Sequence, residues 1–131
     1  MSGTKTNRLL GKIGELLAIY KLLEIGYDNV LHDYGEINDI DLVAIKNKKI
    51  DNIQVKTGKY NEKNKGTMFT LVRNSSSKQA VINNKSSFDK LLLITITKDF
   101  KASFYLIPKN VIQTIQTFCI SKKSKYLKYK I

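Results

Sequence analysis

The amino-acid sequence predicts an α/β (α+β) fold in which helices flank a central mixed β-sheet. An apolar repeat at helical spacing opens the chain, and several apolar runs of strand length follow it. The 131 residues, 42% of them hydrophobic, are enough for one core and too few for two. We therefore expect a single domain over residues 1–131, with a basic tail at about 121–131.

The first predicted element is a helix in the segment TNRLLGKIGELLAIYKLLEIGY. Its apolar residues at helical spacing are Leu9, Leu10, Ile13, Leu16, Leu17, Tyr20 and Leu23. Gly26 stands just beyond them, where a glycine commonly ends a helix. Glu15 lies along the apolar stripe, so its carboxylate needs a cation, a donor or a metal unless it reaches water.

Strands are predicted through the middle of the chain. NVLHDY, DIDLVAI and NIQVK come first, and the last two form a hairpin across the turn KNKKID. TMFTLV is a further strand, whereas NSSSKQAVINNKSS is polar and predicts a loop with some helix. KLLLITIT is the most apolar run and predicts a central buried strand, and ASFYLI returns after the turn KDFK.

A closing helix is predicted in PKNVIQTIQTFC, with Pro108 in its first turn. Val111, Ile112, Ile115 and Phe118 share one stripe of this helix, and Cys119 is expected in the core near its end. The tail SKKSKYLKYK carries Tyr126 and Tyr129. It either stacks on nucleic acid through these tyrosines or forms a disordered solubilising end.

The charge of the chain indicates a polyanionic partner. Twenty-three Lys and Arg residues against 11 Asp and Glu give a net charge of +12, and nucleic acid gains affinity from such an excess by releasing counterions. A lysine-rich composition shared by a whole proteome is the alternative explanation. The longest apolar run is far shorter than the roughly 20 residues of a membrane helix, and no apolar signal segment opens the chain. We expect a cytoplasmic, soluble protein.

Metal ligands are restricted by composition. Cys119 is the one cysteine and His32 the one histidine, so neither a disulfide nor a zinc site of Cys and His is available within the chain. His32 is expected at the surface, at the end of a strand, and assistance at the site is the less favoured alternative. Any bound metal must therefore be held by oxygen atoms.

Polar residues follow one face of the predicted hairpin. Side chains alternate along a strand, so Asp41 shares a face with Val43, and Gln54 shares a face with Lys56. If both faces point to the same side, a carboxylate, an amide oxygen and an ammonium group converge. Such a group can hold Mg²⁺ beside a phosphodiester. The alternative is a strand pair whose polar face is simply in water.

GKIGELLAIYKLLEIGYDNVL, DIDLVAI and IQVKTG together resemble the PD-(D/E)XK nuclease superfamily, in the branch of Holliday junction resolvases, small homing endonucleases and restriction-like enzymes. The resemblance covers Asn7 to Gly58 and continues loosely beyond. It implies a restriction-endonuclease-like fold and a metal-dependent endodeoxyribonuclease. Glu15 matches the family's helix glutamate, Asp41 its strand aspartate and Lys56 its lysine. The chain departs from the pattern at Gln54, where the family usually has Glu or Asp.

The resemblance implies a catalytic set of Glu15, Asp41, Gln54 and Lys56. It places Mg²⁺, with Mn²⁺ as substitute, between Asp41, Gln54 and the Val55 carbonyl, with Glu15 bound through water. If the loss of the acid at Gln54 abolished the chemistry, the fold would bind DNA without cutting it.

Branched or duplex DNA is the expected partner, and phosphate contacts are expected from basic residues near this site. These residues are Arg8, Lys12, Lys59, Lys63, Lys65, Arg73 and Lys78. The short chain and its broad positive charge favour a homodimeric, structure-selective Holliday junction resolvase, which is the preferred prediction, with VIQTIQTF as one possible dimer face. The Gln-x-Lys variant favours the alternative, a homing or restriction-like enzyme that reads a site.

Overall fold

The computed structural model describes residues 2–32, 40–70, 72–74, 79–81, 88–112 and 117–131. The strands are β1 (Asn29–His32), β2 (Leu42–Lys46), β3 (Lys49–Lys59), β4 (Gly66–Thr70), β5 (Val72–Asn74), β6 (Gln79–Val81), β7 (Lys90–Ile96), β8 (Ala102–Pro108) and β9 (Thr117–Ser121). The helix α1 spans Ser2–Glu24, and short 3₁₀ helices span Lys109–Val111 and Lys125–Tyr129. Among the described residues, no helix has the length and apolar character that crossing a membrane requires.

Five strands form the central sheet in the order β1-β2-β3-β7-β8. All neighbours are antiparallel except β3 and β7, which run parallel, so the sheet is mixed. β7 is buried along nearly its whole length, as its apolar sequence predicts. The predicted α/β fold with a central mixed sheet is confirmed.

α1 ends in a Schellman motif and packs on β3. Gly26 has φ +116°, and the N–H groups of Gly26 and Tyr27 donate to the carbonyls of Leu23 and Leu22 at 3.2 and 3.1 Å. A Cβ atom at Gly14 would lie 1.8 Å from Thr57 Oγ1, so only glycine allows this approach. The contact fixes the height and rotation of the helix at the residue before Glu15.

The hairpin of β2 and β3 turns through two residues, Asn47 and Lys48. Both have positive φ, 51° and 65°, as a type I′ turn requires. The turn sets a register in which Lys46 pairs with Lys49 and Leu42 pairs with Ile53. Because side chains alternate, this register decides which residues of both strands face α1.

The sheet has a core on each face. On the face of α1, Leu22 and Ala18 pack with residues of the sheet such as Leu42, Ile53 and Leu92. On the opposite face the ribbon of β4 and β9 packs on the sheet through Phe69 and Ile120, and Tyr126 of the C-terminal 3₁₀ helix joins this core. α1 and the ribbon therefore sandwich the central sheet.

The predicted closing helix was wrong. After the 3₁₀ helix Lys109–Val111, residues 117–121 form β9, which pairs antiparallel with β4. Thr, Phe and Ile favour strands, and pairing with β4 satisfies the backbone groups of both strands, so this contact outweighs the helical spacing. Cys119 is exposed on β9 instead of filling the core, and Ile115 lies outside the described residues.

Two further predictions are corrected, one for residues 79–81 and one for the C-terminal residues. Gln79–Val81 forms a strand paired with β5, where a loop with some helix was expected. The C-terminal residues are not a free tail, because Tyr126 is buried and the N–H of Ile131 donates to the Phe104 carbonyl at 2.9 Å. The ring of Tyr126 therefore does not stack on a ligand at the surface.

Candidate active site

Asp41 precedes β2 and is fixed by three hydrogen bonds to β3. Its N–H donates to the Ile53 carbonyl at 2.8 Å, which continues the strand pairing by one residue. Its Oδ2 accepts the N–H of Val55 at 2.8 Å and the Nε2 of Gln54 at 3.0 Å. The carboxylate is therefore locked onto β3 beside Gln54, as the alternation of the two strands predicts.

Gln54 is buried, with 7% of its surface exposed. Its Nε2 is used by Asp41, whereas its Oε1 is buried without a hydrogen-bond partner among the described residues. A buried carbonyl oxygen without a partner destabilises a fold, and cations are among the groups that satisfy it. This oxygen belongs to the amide that donates to the Asp41 carboxylate, so the two groups are neighbours in the site.

Burial raises the pKa of the Asp41 carboxyl to about 6. The Val55 N–H opposes this effect, the Glu15 carboxylate adds to it, and the charges of Lys56 and His32 oppose it. Glu15, Lys56 and His32 therefore act electrostatically on Asp41 from opposite sides: Lys56 lies on the Gln54 face of β3, and the other two lie on the face of α1.

His32, for which the sequence favours a surface position over a role at the site, contacts Glu15. Its Nε2 lies 2.8 Å from Glu15 Oε2, and both side chains are 22% exposed. His32 pairs with Leu42, the residue after Asp41, which brings this contact next to the site. The available sequence signal was alternation, because Val30 packs on the α1 face and His32 must then share that face.

Oxygen atoms dominate the donor set of this site. The described residues contain no group of three or more His, Cys, Asp and Glu side chains that could hold a metal ion. A cation would instead be held by the Asp41 carboxylate and the Gln54 Oε1, with Glu15, on the α1 face, bound through water. This set suits a hard divalent cation, and the unsatisfied Gln54 oxygen fits it.

The predicted DNA-contact residues lie in several places. Arg8 and Lys12 are exposed on α1, and Lys12 Nζ lies 3.9 Å from Glu15 Oε2. Exposed basic residues at the end of β3 and in the turn before β4 are Lys59, Lys63 and Lys65. Arg73 is on β5, where only the backbone is described, and Lys78 lies outside the described residues.

A family model described as PD-(D/E)XK endonuclease matches residues 5–125. The chain belongs to this family. The matched range includes Glu15, Asp41, Gln54 and Lys56. Among solved structures, the chain is similar to the bacterial homing endonuclease I-Ssp6803I, with a TM-score of 0.74 and 21% identity over 94% of this chain and 87% of that one. No curated protein sequence matches it.

Proposed function

We propose that this PD-(D/E)XK endonuclease is an active, Mg²⁺-dependent DNA endonuclease, with Mn²⁺ as a substitute. The observation that carries the proposal is the Asp41 carboxylate, held by the Val55 N–H at 2.8 Å and placed beside the unsatisfied Gln54 oxygen. A site that had lost its chemistry would not need a buried carboxylate with a raised pKa, because such a group destabilises the fold.

Each site residue has a separate role in the proposed hydrolysis. Asp41 and the Gln54 oxygen would hold the cation, with the Val55 carbonyl as a further ligand and Glu15 bound through water. A divalent cation there supplies positive charge beside the scissile phosphate. Lys56 provides an ammonium group on the same face of β3 as Gln54, where it stabilises charge that develops on the phosphate oxygens.

His32 would contact a cation ligand, Glu15, and not the cation itself. Its contact with Glu15 orients that carboxylate. In this proposal the Gln54 amide oxygen takes the place of the third acid of the family pattern. The two remaining carboxylates, those of Asp41 and Glu15, are positioned by contacts with neighbouring residues.

Two substrates are proposed, duplex DNA and the four-way junction. The solved neighbour is described as a homing endonuclease, and the Gln-x-Lys variant led to the same branch, so a site in duplex DNA is the first candidate. The junction is the second candidate because a charge of +12 suits contacts to several backbones that are recognised by shape. A cytoplasmic location remains a prediction.

Cleavage of labelled duplex, four-way junction and single-stranded DNA in Mg²⁺, Mn²⁺ and EDTA tests the proposal. The Asp41→Asn variant should bind DNA and cut none, whereas Asp99→Asn, a change in the exposed turn before β8, should cut normally. Defined cuts in duplex DNA would select the homing or restriction-like function, and paired nicks at the junction would select the resolvase. Binding without product in either metal would make the protein a non-catalytic DNA binder.

We further propose that two copies associate through α1. Its outward face carries large apolar side chains that are 46–67% exposed, namely Leu9, Leu16, Tyr20 and Leu23. A second α1 packed antiparallel across Leu16 would place Leu9 opposite the partner subunit's Leu23.

Paired charge substitutions test this dimer. Leu9→Lys and Leu23→Glu should each weaken association in sedimentation velocity, and the double variant should restore part of it because the two-fold axis brings the opposite charges together. A double variant as weakly associated as the single ones would refute this interface.

A further inference from the structure

A cavity of about 390 Å³ lies away from the candidate active site, at the carboxyl ends of β3 and β7. Tyr105 of β8 lines it, and this residue pairs with Leu93, which pairs with Lys56. Side chains at paired positions share a face, so the cavity opens on the same sheet face as Lys56. The β4–β9 ribbon and the C-terminal 3₁₀ helix form its other walls.

The lining of this cavity is basic. Lys65, Lys122 and Lys130 line it, and no Asp or Glu is among its described lining residues. None of the ion pairs between described residues involves these three lysines. Lys65 is held at the rim by a left-handed backbone, with φ 52°. Cations gathered around a cavity without a counter-ion favour an anionic ligand.

The uncharged polar side chains that line the cavity carry hydroxyl groups, among them those of Thr95, Ser103 and Ser121. Thr67 is the most informative, because it is fully buried and its Oγ1 has no hydrogen-bond partner among the described residues. A buried hydroxyl without a partner destabilises the fold, and an anionic oxygen can accept a hydrogen bond from such a group. The cavity is therefore lined by cations and by a residue whose hydroxyl has no partner among the described residues.

We propose that this cavity binds a phosphate group, and that the phosphate belongs to the backbone of bound DNA. The assignment to DNA rests on the proposed function. The volume accommodates a phosphate together with its sugar. Lys56 and Tyr60 are separated by four residues, or about 13 Å along an extended chain, so one DNA molecule can occupy both places.

The first test measures DNA binding in EDTA, where nothing is cut, as a function of salt. The double variant Lys122→Gln, Lys130→Gln should make the negative slope of log affinity against log salt shallower by about 0.9, the value for one lost phosphate contact. At 0.1 M salt this corresponds to roughly tenfold weaker binding. Lys48→Gln with Lys49→Gln removes the same charge at the opposite end of β3 and should leave the slope nearly unchanged. Equal slopes for both variants and the wild type would overturn the DNA assignment.

Thr67→Val supplies a second, independent test, with Thr67→Ser as the control that keeps the hydroxyl. Thr67→Val should weaken DNA binding and raise the urea midpoint of unfolding, whereas a hydroxyl with a purely structural role would lower the midpoint when lost. Calorimetry with inorganic phosphate and with a mononucleotide distinguishes the sources. Suppose that the wild type binds these probes, that the Lys122 and Lys130 variant does not, and that the DNA slopes stay equal. The ligand of the cavity would then be a small phosphorylated molecule instead of DNA. No effect in any measurement would overturn the phosphate site, whereas loss of cleavage alone would bear only on the proposed function.

Discussion

Replacing Asp41 by Asn should stabilise the metal-free protein while abolishing cleavage. Burial raises the pKa of Asp41 from 3.8 to about 6, so the folded chain disfavours the charged carboxylate that the unfolded chain accepts. A shift of about two pKa units corresponds to about 3 kcal/mol. The asparagine oxygen can still accept the Val55 N–H, and a rotated Gln54 amide can then accept from the new side chain.

The sign of the pH dependence follows from linkage. Below pH 3.8 the carboxyl is protonated in both states and Asp41 costs no stability. As the pH rises through about 6, the wild type loses the stability that the protonated carboxyl had, and the asparagine variant does not. The difference in free energy of unfolding between the two proteins should therefore grow from near zero at pH 3.5 to about 3 kcal/mol at pH 7.5.

Urea unfolding of both proteins in EDTA at these two pH values measures the difference, since other titrating groups cancel. Added Mg²⁺ should then stabilise the wild type and leave Asp41→Asn unchanged. An Asp41→Asn protein that is equally stable or less stable than the wild type at pH 7.5 would refute the reasoning.

Three more predictions concern residues around α1. His32→Ala should raise the Mg²⁺ concentration needed for half-maximal cleavage. His32→Gln should keep the requirement of the wild type, because the glutamine amide can donate to Glu15. Equal Mg²⁺ requirements in the two variants would contradict the orienting role. Leu16→Glu should give a monomer in light scattering, since the change falls on the proposed two-fold axis, and an unchanged mass would exclude that axis. Gly14→Ala should lower the free energy of unfolding by about 2 kcal/mol in urea, because its Cβ would overlap Thr57, and adding Thr57→Ala should recover part of the loss.

The sequence predicts much of the candidate site because its parts are local. The helical repeat identifies α1, and strict alternation places Gln54 and Lys56 on one face of a strand. Only a hairpin is then needed to bring Asp41 beside them. The contact of Asp41 with Gln54 and Val55 forms as the hairpin requires. The roles that the resemblance adds for these residues stay predictions.

Contacts between distant elements escape the same reasoning. The spacing of Val111, Ile112 and Phe118 fits a helix, yet β4 lies alongside and residues 117–121 pair with it as a strand. The contact of His32 with Glu15 depends on the rotation of α1 over β1, which the packing of Gly14 on Thr57 determines. Neither effect is visible within a window of adjacent residues.

The two-residue turn at Asn47 and Lys48 has a consequence for insertion and deletion variants. A one-residue change in its length would shift the pairing of β2 with β3, and a shift by one exchanges the two faces of a strand. Ile53 and Val55 would then meet Asp41, and Gln54 and Lys56 would enter the apolar core beneath α1. Most surface loops tolerate such length changes, but here a turn far from the candidate site determines which side chains form it.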